Sequence, residues 1–136
     1  MKDKLYEIAR NFRHAIESLD ATDYESSSHF KEFPKGCCGD SSDLLRHHLY
    51  SVDITSEYIC GMDKNGSHAW LESNGFIIDI TADQFDEINE RIIITKDRRW
   101  HSTFKNQHRE KEKNDGFNKR ARERLMVLYQ KILKKM

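Results

Sequence analysis

The chain has 136 residues, with 23 Lys+Arg against 23 Asp+Glu, so its formal net charge at pH 7 is zero. That length suits one domain, and the zero balance excludes the strong overall field that draws a protein to polyanions. The balance is uneven along the chain: residues 1–60 hold 7 basic and 11 acidic side chains, 61–104 hold 5 and 8, and 105–136 hold 11 and 4.

Residues 3–19 place Leu5, Ile8, Phe12, Ile16 and Leu19 at spacings of three and four, which predicts an amphipathic helix. The polar stretch 20–36 reads as loop. A second helix is predicted over 39–50 from Leu44, Leu45 and Leu49, with Asp40, Ser41 and Ser42 as N-cap candidates. Four strands follow, at 56–62, 68–73, 76–80 and 91–95. Asn74-Gly75 between the second and third is a strong hairpin signal. The segment "RRWHSTF" (98–104) reads as loop, and the chain then turns very polar. Phe117, Ala121, Leu125, Leu128 and Ile132 predict a last amphipathic helix over 117–133. This order predicts an α+β fold with an antiparallel sheet, a motif-bearing core at about 30–104 and a basic helical extension over 105–136.

No apolar run approaches the roughly 20 residues that span a bilayer, so no membrane partner is expected. The N-terminal "MKDKLYEIARNF" mixes both charges and lacks the apolar centre of a signal peptide. Three cysteines, an odd count, do not make a neat secreted disulfide framework. A reduced, cytoplasmic setting is the expectation.

Two of those cysteines, Cys37 and Cys38, stand between Pro34-Lys35-Gly36 and the second helix. The dipole and free N–H groups of a helix N-terminus stabilise a thiolate, and the same N–H groups can hold an oxyanion. The bland alternative is a pair of small buried residues in a tight turn. A nucleophilic cysteine needs a base, and the base an orienting partner. If Asn74-Gly75 is a two-residue loop, facing positions sum to 149. His68 then faces Thr81, Trp70 faces Asp79, and all four share one side of the hairpin. His68 and Asp79 become diagonal neighbours. Ala69, Leu71, Ile78 and Ile80 form the apolar side.

"GCCGDSSDLL", "HAWLE" and "IIDITADQF" together resemble the motifs of the transglutaminase-like, papain-like cysteine enzymes, over residues 33–85. The resemblance implies a papain-like α+β core and a Cys-His-Asp triad of Cys38, His68 and Asp79, with Cys37 as alternate nucleophile. It implies thiol chemistry on an amide or ester of a protein, peptide or small amide: a peptidase, a deamidase or an amide-forming transferase. No cofactor is called for. The superfamily also holds members without catalysis, so an inactive binding module is the alternative. One departure is the lack of a bulky aromatic just after the nucleophile. Cys38 is favoured because it lies nearer the helix start and is followed by Gly39. Gln84 is a candidate second oxyanion donor, and Trp70 and Glu72 are candidate groove residues.

Three rival readings compete with it. Cys37, Cys38, Cys60 and His68 form a set that zinc accepts, but adjacent cysteines do not match the usual C-x₂₋₄-C spacing. A vicinal Cys37–Cys38 disulfide would be strained and easily reduced. The basic C-terminal helix lacks the aromatic interleaving that stacks bases, so a solvated helix face is favoured over nucleic-acid binding. His47, His48 and His101 read as surface residues.

Overall fold

The computed structural model describes residues 1–24, 28–110 and 121–136. Three helices, α1 (Lys2–Glu17), α2 (Cys38–Ser51) and α3 (Arg122–Lys134), accompany five strands. The strands are β1 (Glu57–Asp63), β2 (Gly66–Ser73), β3 (Phe76–Asp79), β4 (Ile93–Thr95) and β5 (Lys105–Glu110). They form one sheet in the order β4-β3-β2-β1-β5, every neighbouring pair antiparallel. The architecture is α+β, as the order of predicted elements implied. Among the described residues no helix is long and apolar enough to cross a membrane.

The hairpin forms in the predicted register. Leu71 pairs with Ile78, Glu72 with Ile77 and Ser73 with Phe76. Asn74 and Gly75 both carry positive φ, 53° and 81°, as a two-residue hairpin loop between right-twisted strands requires. One face of the sheet, with Leu71, Ile78, Ile80 and Ile94, packs against Leu5, Phe12 and Ile16 of α1, Leu44, Leu45 and Leu49 of α2, and Leu125 and Ile132 of α3. α3, within the basic extension, therefore belongs to the main core. Predicted residues 117–120 of its helix lie outside the described residues.

The other face is not open. Ile59, Trp70, Ile77 and Phe104 make a second, smaller core, flanked by Phe85 and Trp100. The segment 98–104, read as loop from sequence, builds this layer through Trp100 and Phe104 and covers the sheet. It then leads into β5, an edge strand that the sequence reading did not contain; all six of its residues are exposed. Arg13 of α1 ties the layers together. Its guanidinium donates to both carboxylate oxygens of Asp83 (2.6 and 2.8 Å) and to the carbonyls of Ile80 and Arg91.

Candidate active site

Gly36, at φ +73°, turns the chain in a way a side chain would resist. Cys37 follows as the N-cap, and Cys38 is the first residue of α2. The first ladder bond runs from Ser41 N–H to Cys37 O at 2.8 Å. The N–H groups of Cys38, Gly39 and Asp40 precede that ladder and face out of the helix end. The helix thus starts earlier than its polar residues suggested. Asp40 pairs with Arg124 instead of capping, and Ser41 and Ser42 are buried within the first turns.

The two adjacent thiols have opposite surroundings. Cys37 is buried, with its sulfur 3.1 Å from His29 O and 3.3 Å from Lys35 O. Burial, with Asp40 and Cys38 beside it, pushes its pKa up to about 12. Cys38 is half-buried. Burial alone would raise its pKa too, but the hydrogen bond and charge of His68, with the Ala69 N–H, bring it below the ordinary thiol value. The ladder between β2 and β3 ends at Leu71–Ile78, which leaves the Ala69 N–H to the sulfur.

His68 is fully buried, and its Nε2–H donates to Asp79 Oδ2 at 2.7 Å. That leaves Nδ1 on the side of Cys38, where the Gln84 amide nitrogen also lies, 3.3 Å away. Burial pulls the imidazolium down, but Asp79 and Cys38 outweigh it and lift the pKa to about 9. Asp79, the last residue of β3, is equally buried. Its Oδ1 accepts the Thr81 N–H at 3.0 Å, and its Oδ2 accepts a second imidazole, His101 Nε2–H, at 2.8 Å. Burial works against the anion, yet His68 and His101 hold the carboxyl well below its usual range.

His101 is therefore a correction: it is buried at 3 % exposure and bound to the Asp79 carboxylate, not at the surface. Its only sequence signal was an aromatic-flanked histidine in an otherwise polar stretch. His48 also faces inward in part, stacked on Phe12 and hydrogen-bonded to the Tyr129 hydroxyl, and His47 lies edge-on to the Tyr129 ring. The Gln84 amide nitrogen lies 3.3 Å from His68 Nδ1 and donates to Thr81 O at 3.1 Å. Both contacts tie it to the site's own groups, the imidazole and the Thr81 carbonyl. Trp70 is 1 % exposed and packs against His68, His101 and Phe104, so it is the wall behind the imidazole instead of a groove lining. Glu72 is 8 % exposed and clamped by Arg98 and Arg109, also away from any groove.

A cleft of about 890 Å³ opens beside the α2 start. One wall comes from the loop before α2, through Tyr24, His29 and Gly36, and the other from α3, through Arg124, Val127 and Lys131. Gly39 and Asp40, which follow Cys38 in the chain, also line it, while Cys38 and His68 are not among its lining.

All three cysteines are free thiols. Among the described residues the cluster with metal-ligand spacing is His68, Asp79 and His101, whose ligand atoms lie within 4.8 Å of one another; the Cys37, Cys38, Cys60 and His68 set is not brought together. An ion among the three would have to displace both imidazole N–H bonds to Asp79. Compared with known proteins, the chain matches no family model, no curated protein and no solved structure.

Proposed function

We propose that this chain is a thiol-dependent hydrolase or acyl transferase acting on amide bonds, with a papain-like arrangement of a cysteine helix against an antiparallel sheet. The observation that carries the reading is the alignment of Cys38, His68 and Asp79: a half-buried thiol whose pKa His68 lowers, beside an imidazole whose Nε2 is held by a buried carboxylate at 2.7 Å.

In this reading His68 Nδ1 takes the Cys38 proton, and the thiolate attacks a carbonyl carbon. The oxyanion that forms meets N–H groups at the α2 start, and the Gln84 amide serves as second donor by turning from the Thr81 carbonyl. His68 returns its proton to the leaving amine as the C–N bond breaks, leaving a thioester on Cys38. Water, activated by His68, then attacks the thioester and releases the acid; an amine in its place gives a new amide. Asp79 keeps the His68 proton on Nε2 and stabilises the imidazolium. Cys37 has no part in this, since its thiol faces backbone carbonyls at raised pKa. The substrate enters by the cleft that Tyr24, His29 and Gly36 form with α3, which reaches Gly39 and Asp40 next to Cys38 in the chain.

The test uses p-nitrophenyl acetate as a generic acyl donor. A burst of p-nitrophenol, with one acetyl group located on Cys38 by fragment mass spectrometry and absent in His68→Ala, is the expected result. Steady background release with no acetyl on Cys38 would overturn the reading.

A further inference from the structure

A triad accounts for Cys38, His68 and Asp79 but leaves one short, buried hydrogen bond unexplained. Asp79 Oδ2 accepts from two imidazoles, His68 Nε2 at 2.7 Å and His101 Nε2 at 2.8 Å. We infer that His101 is a positioning residue of the site, which shares the Asp79 oxygen with His68 and thereby sets how strongly the carboxylate holds that imidazole. The inference rests on the reading of Cys38 and His68 as nucleophile and base.

The geometry is built to hold this arrangement. Asp79 receives donors from three separate places: Thr81 N–H on Oδ1, and His68 and His101 on Oδ2. A carboxylate oxygen has room for two such donors, and with Oδ1 also engaged the group cannot swing. The His101 ring is itself fixed. It lies edge-on to Trp70 and Trp100, with ring centres 4.8 Å away in each case, and its carbonyl accepts the Gln107 amide at 3.0 Å. The titratable groups that face His68 are Cys38 from α2, Asp79 from β3 and His101 from the covering segment, its ring 6.4 Å away. Those that face Asp79 are the two histidines and, through its charge, Cys38.

The chemical consequence concerns the second half of the reaction. A base that must later act as an acid should not be held too firmly as the imidazolium. With one donor on Oδ2, the whole demand of a buried anion falls on His68. With two, His101 satisfies part of it, and His68 releases its proton to the leaving amine more readily. Removing the His101 donor should therefore raise the pKa of His68.

The experiment is a pH titration of the His68 imidazole by nitrogen-15 NMR, assigned by its loss in His68→Gln, in the wild type, His101→Phe and His101→Gln. Phe keeps a ring against Trp70 and removes the donor, while the Gln amide can take the place of Nε2–H. The expected result is an upward shift on the order of one pH unit in His101→Phe, reversed in His101→Gln. If His101→Phe does not fold, His101→Asn replaces it, since its shorter amide falls short of Oδ2 while keeping the same chemistry. A wild-type titration in the variant without the donor would overturn the inference, because a purely structural His101 would change stability alone. Alkylation of Cys38 in the same wild-type sample separates the two claims. A Cys38 that labels as an ordinary thiol sinks the catalytic reading, while the His68 titration still decides the role of His101.

Discussion

Replacing Asp79 with Asn is the substitution whose outcome the geometry fixes most tightly. Asn matches the carboxylate in volume but offers one oxygen where the site supplies three donors, Thr81 N–H and the two imidazole N–H groups. If the Asn oxygen faces Thr81, its NH₂ points at both histidines, and His68 must present a bare Nε2. The His68 proton then moves to Nδ1, towards Cys38, and the ring can no longer act as the base. If the amide is reversed, its NH₂ opposes the Thr81 N–H. Either way the negative charge is gone. His68 then falls from about 9, since the charge and hydrogen bond of Asp79 are lost while burial still pulls the imidazolium down and only Cys38 still raises it. With the wrong tautomer added, acylation of Cys38 should fall by about 10²–10⁴. Single-turnover acylation by p-nitrophenyl acetate at pH 7 measures this, with circular dichroism to establish that the hairpin remains. Acylation within threefold of wild type in a folded Asp79→Asn would remove Asp79 from the relay.

Other expectations follow from neighbouring residues. Cys37→Ala should leave acylation within a few-fold of wild type, because that thiol faces the His29 and Lys35 carbonyls; a dead variant would move the nucleophile to Cys37. Arg13→Ala strands Asp83 and two carbonyls beneath the sheet and should cost about 3 kcal/mol in denaturant unfolding, the lower end for a broken buried pair. A loss under about 1 kcal/mol, as for a surface pair, would mean that the contact does not form. Stability should also depend on pH through His68. In a Cys38→Ala background, the unfolded imidazole titrates near 6.5 while Asp79 keeps the folded one higher, up to about 9 in the intact site. The stabilisation is then complete below pH 6.5 and is lost as pH rises towards 9. Thermal midpoints from pH 6 to 10 should fall accordingly, and a flat profile would contradict the raised pKa.

Much of this arrangement was legible from local pattern. Leu5, Phe12 and Ile16 announce α1, and the Asn74-Gly75 turn fixes the register that brings His68 and Asp79 together. The start of α2 at Cys38 was less clear, because Asp40, Ser41 and Ser42 carry the cap preference; the backbone turn at Gly36 decides the matter, not side-chain propensity. What escaped is what depends on distant partners. β5 is a polar edge strand with no buried face, so it has no alternation to read and exists through its pairing with β1. His101 and Arg13 are polar residues in unremarkable contexts, buried by partners 22 and 70 positions away, Asp79 and Asp83. The second core hid for a similar reason: Trp70 and Ile77 meet Phe104 only once the 98–104 segment folds back over the sheet.

The central claim is that Cys38, alone among the three thiols, is activated by His68. The direct measurement is the alkylation rate of each cysteine against pH, read by peptide mass spectrometry in wild type and His68→Ala. The account predicts fast labelling of Cys38 well below the free-thiol pKa of about 8.5, slowed when His68 is lost, with Cys37 slow throughout. Ordinary labelling of Cys38, unchanged by the loss of His68, would contradict it.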